Sequence, residues 1–298
     1  MAKIVQCIPN FSEGRDMAIV SELEAVAKSV PGVMLLDSSS DTSHNRSVFT
    51  LVGDPEGVAE AAFRLCKLAS EKIDMTKHSG EHPRMGATDV IPFVPIREVT
   101  IEECVEISKT VAKRIWEELS IPSFLYEYSA SVPERQNLAA VRKGQFEGMA
   151  EKLEQEQWAP DFGERKIHPT AGITAIGARP PLIAYNINLS TPDIEIANSI
   201  AKMIRAMSGG YKYVKAIGVM LEDRNIAQVS INMVNLDVNP LYRIFETVRM
   251  EAKRWGVEVL GSEIVGLAPS KALIDCAEYY LQIENFDYKK QVLENHLL

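Results

Sequence analysis

Apolar residues recur along this chain with two periods, one of two residues and one near 3.6, and each switch between them marks an element boundary. In the second half, residues 182–189 alternate as a strand, and Thr191-Pro192 offers a helix cap followed by a proline at the first helical position. Ile196, Ile200, Met203 and Ile204 then share one helical face. Residues 214–221 read as a strand, 222–225 as a turn and 227–234 as a half-buried strand. Asn239-Pro240 opens a second helix with Leu241, Ile244, Phe245 and Val248 on one side, and residues 257–265 close the series. The order strand, helix, strand, strand, helix, strand is the βαββαβ, ferredoxin-like pattern.

The first half repeats that order. Residues 3–8 form a strand, and a helix over 14–30 turns Ile19, Leu23, Val26 and Val30 inward. Strands at 33–37 and 47–52 flank a polar loop, Asp54-Pro55 starts a helix carrying Val58, Ala62, Leu65 and Leu68, and 89–94 is the next strand. An additional unit follows: Thr100 and Glu103 fit a capping box, the helix runs to about Leu119, and residues 124–126 make a strand. Residues 133–158 read as a polar, partly helical connection. The expected fold class is α+β, two ferredoxin-like subdomains over residues 1–178 and 179–298, with 158–181 as the joining segment.

Length agrees: 298 residues suit two domains at roughly 150 each. No apolar run approaches the roughly 18 residues a bilayer span needs, and the N-terminus lacks a signal-peptide layout, so a cytoplasmic location is expected. Cys7, Cys66, Cys104 and Cys276 are far apart with no CxxC pair, which reads as buried hydrophobes and disfavours a thiolate metal site. The net charge of −9 argues against nucleic acid and anionic membranes but leaves room for an anionic small molecule in a locally basic pocket. Neither half carries a GxGxxG or P-loop motif.

Four stretches hold candidate chemistry. Residues 77–89 combine His78, His82, Lys77, Arg84 and Glu81 with two glycines and a proline, which suits either a shaped functional loop or a solvated polar one. Between Glu164 and Asp193 there is no acid, yet Arg165, Lys166, His168 and Arg179 fall there; a linker and a ligand-lined segment both fit. In residues 8–14, Ser12 can cap the first helix, or the helix start can hold a carboxylate. Residues 37–46 read as a polar hairpin connection.

Ile8-Pro9-Asn10-Phe11-Ser12-Glu13-Gly14, Gly80-Glu81-His82-Pro83-Arg84-Met85-Gly86-Ala87, Trp158-Ala159-Pro160-Asp161-Phe162-Gly163 and Gly177-Ala178-Arg179 together resemble motifs of the formiminotransferase (glutamate formimidoyltransferase) family, as do residues 182–189 and 225–230. The resemblance covers nearly the whole chain. It implies two α/β subdomains with a folate tunnel between them, a homodimer, tetrahydrofolate as co-substrate and no metal. It makes His82 catalytic and assigns folate to the stretch Gly163, Glu164, Arg165, Lys166, Ile167, His168, Pro169, Thr170, Ala171, Gly172, with Gly177 and Arg179 beyond it. Asn10, Asp37, Arg46, Glu81 and Arg84 are the candidates for holding the formimino donor, Glu81 or Asp37 for orienting His82. Animal members are fused to a cyclodeaminase; this chain ends at Leu298, so one activity is expected, with a separate cyclodeaminase as a partner. Two departures stand out: Glu164, Arg165, Lys166 and His168 replace a more apolar run of the animal members, and Ser39 stands where the family can carry an acid, the next acid being Asp41. The implied reaction moves the formimino group of formiminoglutamate to folate N5, with His82, ordinarily titrating near 6.5, shuttling the proton. Alternatives are formiminoglycine or another formimino donor, a folate-binding protein without catalysis, and a purely structural dimer.

Overall fold

The computed structural model describes residues 2–296, which divide into two compact units, 2–179 and 180–296. In the first, the strands are β1 (Ile4–Cys7), β2 (Asn10–Phe11), β3 (Val33–Asp41), β4 (Arg46–Gly53), β5 (Thr88–Arg97), β6 (Ser123–Glu127) and β7 (Thr174–Ala178). They form one sheet. β1 and β2 are two pieces of one line, both pairing antiparallel with β4 and β5, and β3 flanks β4. β7 lies parallel between β5 and β6. The βαββαβ order is therefore present, with two strands added at one edge.

The segment expected to join the subdomains is thus partly a strand inside the first sheet. Thr174-Ala175-Ile176-Gly177-Ala178 is buried throughout, on both faces. Such central parallel strands need not alternate, which removes the usual sequence signal.

Helices α1 (Met17–Lys28), α2 (Pro55–Lys72) and α3 (Ile101–Leu119) pack on the sheet through Val20, Leu23 and Ala27, Val58, Leu65 and Ala69, and Val111, Ala112 and Ile115. Asp54 caps α2, and the capping box of Thr100 and Glu103 is complete on α3. α1 starts later than the pattern suggests: Asp16, not Ser12, accepts from Ala18 and Ile19 N–H. Ser12 instead donates to the Gly86 carbonyl at 2.8 Å. Two short helices, α4 (Leu138–Arg142) and α5 (Gln145–Glu154), bring Val141, Met149 and Leu153 against Val90, Phe124, Tyr126 and Ala175 in a further buried cluster.

The second unit contains β8 (Ile183–Leu189), α6 (Ile194–Ile204), β9 (Val214–Leu221), β10 (Ile226–Met233), α7 (Leu241–Arg254) and β11 (Val259–Val265). Its sheet runs β11-β8-β10-β9, all antiparallel, the ferredoxin-like arrangement. Ile187, Val229, Ile231, Ile200, Ile204, Ile244 and Val248 make its core. Asp193 rather than Thr191 caps α6, and Met203, expected inside, is exposed while Ala197 and Ala201 take the inner face. Beyond Val265 the chain adds α8 (Ser270–Leu281) and α9 (Tyr288–Gln291). Cys7, Cys66 and Cys104 are buried and Cys276 half-buried, all as free thiols. No helix among the described residues is long and apolar enough to cross a membrane.

Candidate active site

The loop between α2 and β5 carries His82, and two neighbouring segments, the β3–β4 turn and residues 170–171, fix its backbone. Met75 N–H donates to Thr170 O at 2.8 Å, Glu81 N–H to Ser43 O at 3.2 Å, and Ala87 N–H to Ala171 O at 2.9 Å. Asn45, in the left-handed region at φ 48°, ends the β3–β4 turn. Its amide accepts from Gly14 N–H and donates to Ser79 O, both at 3.0 Å. Gly80 passes so close to the backbone of that turn that a Cβ would strike the His44 carbonyl.

His82 Nδ1 donates to the Pro83 carbonyl oxygen at 2.6 Å, which leaves Nε2 with the ring's lone pair. The His44 ring meets it edge-on, centroids 5.9 Å apart at 85°. His44 is itself held by Asp41, through its backbone N–H at 2.7 Å and Nδ1 at 3.2 Å. Partial burial, then the positive charges of Arg46 and Arg142, push the His82 imidazole down to about 4, with Asp89 and the Pro83 contact opposing. At neutral pH it is an uncharged base. The unperturbed value expected for this histidine is therefore corrected downward.

Beneath it lies a charge cluster. Asp89, fully buried, accepts from Arg46 Nη1 at 2.8 Å and Arg142 Nη2 at 2.6 Å through one oxygen, and from Met85 N–H at 3.1 Å through the other. Burial alone would raise the Asp89 carboxyl; the two guanidiniums outweigh it and hold it below its ordinary range. Asn10 gives its side-chain oxygen to Arg46 Nε and Nη2 at 3.2 and 2.7 Å and its amide N–H to Ile8 O. Asn10 thus positions Arg46.

Arg84 is not available as a surface clamp. It is buried, and its guanidinium pairs with both oxygens of Glu147 at 2.8 and 2.6 Å, with Gln145, and with Nδ1 and the carbonyl of His78. His78 accepts that bond and donates from Nε2 to Asn45 O at 3.0 Å. Two roles at one neutral ring agree with its pKa, lowered chiefly by burial. Neither Glu81 nor Asp37 orients His82 among the described contacts: Glu81 is exposed, and Asp37 sits in edge strand β3 opposite Thr50. The Pro83 carbonyl and His44 do so instead. At the first helix, where capping or a ligand carboxylate both fitted the sequence, Asp16 accepts from Ala18 and Ile19 N–H, and just ahead of it Glu13 accepts from the N–H groups of Gly14, Arg15 and Asp16.

In the expected folate stretch, Glu164, Arg165 and Lys166 are exposed. His168 and Gly172 exchange backbone bonds at 2.9 and 3.0 Å around a tight turn, and His168 Nδ1 accepts from Ala171 N–H. Residues Ala171 to Ile173 then run beside Met85 to Ala87, which brings the end of this stretch next to the histidine loop. Gly177 is buried mid-strand, where a Cβ would strike Tyr126; packing between β6 and β7 accounts for its identity. Arg179 donates its N–H to Phe93 O at the end of the same strand. Arg142 is the site residue that sequence reasoning missed.

The site is thus a neutral imidazole beside two guanidiniums that share one buried carboxylate, on an α/β scaffold of ferredoxin-like order. The chain belongs to the formiminotransferase domain family: the model of its N-terminal subdomain matches residues 4–179 and that of the formiminotransferase domain residues 184–296. It is 71% identical to the glutamate formimidoyltransferase of Streptococcus pyogenes serotype M1 over the full length of both chains. It is 48% identical to that of Thermoplasma acidophilum, covering 95% of this chain and 94% of the relative. Against the mouse formimidoyltransferase-cyclodeaminase it is 45% identical over 95% of this chain and 53% of the relative.

Proposed function

We propose that this chain transfers the formimino group of N-formimino-L-glutamate to N5 of tetrahydrofolate, releasing glutamate. The observation that carries the reading is His82, a neutral ring pinned at Nδ1, its Nε2 bonded to none of the described residues, in a chain that resembles named glutamate formimidoyltransferases end to end. Folate N5 attacks the amidine carbon, a C–N bond forms, and N5 becomes cationic. His82 Nε2 takes that proton. The imidazolium returns it to the glutamate nitrogen, the original C–N bond breaks, and the amine departs. A ring titrating near 4 is a modest base but a strong conjugate acid, which favours the second proton transfer. Holding two substrates together supplies a further part of the rate.

Residues His168 to Gly172 are proposed to border the folate, since their backbone adjoins the His82 loop. Homodimer formation and a cytoplasmic location belong to the same proposal. The test is an absorbance assay for 5-formiminotetrahydrofolate with formiminoglutamate, formiminoglycine and formamidine as donors. Preferred turnover of formiminoglutamate is expected. Equal turnover of formiminoglycine transfers the assignment to that donor, and folate binding with no transfer from any of them removes the enzyme reading.

A further inference from the structure

Two guanidiniums facing one carboxylate do not balance. Arg46 and Arg142 both donate to the same oxygen of Asp89, whose other oxygen is taken by Met85 N–H. The cluster keeps a net positive charge in a setting where side-chain exposure is 8% for Arg46, 0% for Asp89 and 15% for Arg142. Unbalanced charge at such depth is costly. Arg142 Nε–H is buried and meets no acceptor among the described residues. That donor, on a cation in surplus, is one that an incoming anion can satisfy. The cluster is also tied to the histidine loop. Asp89 fastens Met85, which follows His82 closely in that loop, and Arg46 follows directly on the turn whose His44 meets His82 edge-on.

We propose that Arg142, together with Arg46, receives the α-carboxylate of the formimino donor and makes Arg142 the residue that selects α-amino-acid derivatives. The proposal rests on the reaction given above. In N-formiminoglutamate the α-carboxylate is attached to the carbon that bears the departing nitrogen, the one that takes the returning proton. The side-chain carboxylate is two methylenes further away. An anion site adjoining the proton-transfer ring therefore fits the α-carboxylate. A guanidinium meets it with paired, charge-assisted hydrogen bonds that an amine or amide cannot reproduce.

Unreactive analogues separate this from catalysis. N-formyl-L-glutamate keeps both carboxylates and 4-formamidobutyrate lacks only the α one. Their affinities are compared by calorimetry, with and without tetrahydrofolate, in the full-length protein and its Arg142→Gln and Arg142→Lys variants. The wild type is expected to prefer N-formyl-L-glutamate by about ten- to a hundred-fold, the worth of a charge-assisted contact. That preference should collapse toward one in Arg142→Gln and survive in part in Arg142→Lys, which keeps the charge on Asp89 if the amide variant fails to fold. A wild type without preference, or a preference that persists in Arg142→Gln, overturns the proposal. Parallel transfer assays keep the two readings apart. Selective binding without transfer would retire the proposed reaction and keep the anion site; transfer without selective binding would do the reverse.

Discussion

At the scale of single residues, His82 is the position where a small change has the largest chemical effect. His82→Ala is expected to lower kcat by about 10²–10⁴-fold, the usual worth of a positioned acid–base group, while folate binding by fluorescence titration stays close to wild type. Turnover matching wild type would remove His82 from the reaction. Its depressed pKa sets a second expectation. The neutral form persists down to about pH 4, so the acid limb of kcat/KM should lie well below the 6.5 of an ordinary histidine. The same displacement weakens the fold between pH 6.5 and about 4, because the unfolded imidazole takes its proton first as pH falls. Asp89→Asn leaves Arg46 and Arg142 adjacent without their buried counter-charge and should cost about 3–5 kcal/mol in urea unfolding.

At the scale of elements, short-range chemistry was readable and long-range pairing was not. The Thr100–Glu103 capping box and the Asp54-Pro55 helix start stand in the sequence because their partners are three residues away. The histidine loop was visible from its dense polar residues and fixed backbone. Arg142 was invisible because its partner Asp89 lies 53 residues upstream, and Arg84 looked free because Glu147 lies 63 residues downstream. The start of α1 was misplaced for a related reason: Ser12, a good cap by type, is drawn off to Gly86 across 74 residues. β7 escaped notice because small residues buried on both faces show no alternation. Helix α4, which carries Arg142, depends on Lys152. The ammonium donates to the carbonyls of Ala140, Val141 and Lys143 at 2.7, 2.6 and 3.1 Å and lies 3.8 Å from the Trp158 ring centroid. Carbonyls at the C-terminal end of a short helix lack most of their internal partners; of these three, Ala140 O also accepts from Lys143 N–H. Lys152→Met should therefore lower stability by about 1–3 kcal/mol. It should also lower kcat/KM at temperatures where the variant remains folded, because α4 no longer holds Arg142; unaltered kinetics would argue that α4 needs no such brace.

At the scale of the molecule, each unit has its own buried core, the first built around Phe11, Phe49, Leu65 and Phe93, the second around Ile187, Val229 and Ile244. Ile187 is fully buried in mid-strand, between Val229 and Ser262. Ile187→Ala is expected to cost about 2–5 kcal/mol, read from denaturant unfolding of the whole chain. The acidic net charge of −9 gives no hint of the basic pair beside His82, because a mean over the whole surface says nothing of two guanidiniums sequestered on one carboxylate.

The placement of β7 has a consequence for the order of synthesis. A ribosome delivers β5 and β6 well before the strand that separates them. Until residue 178 has emerged, both present bare hydrogen-bonding edges toward the same gap, and an early pairing between them would have to be undone. The first unit thus matures only when its last strand slides into the middle, and a nascent chain arrested short of Thr174 is the form most exposed to aggregation and to chaperone capture.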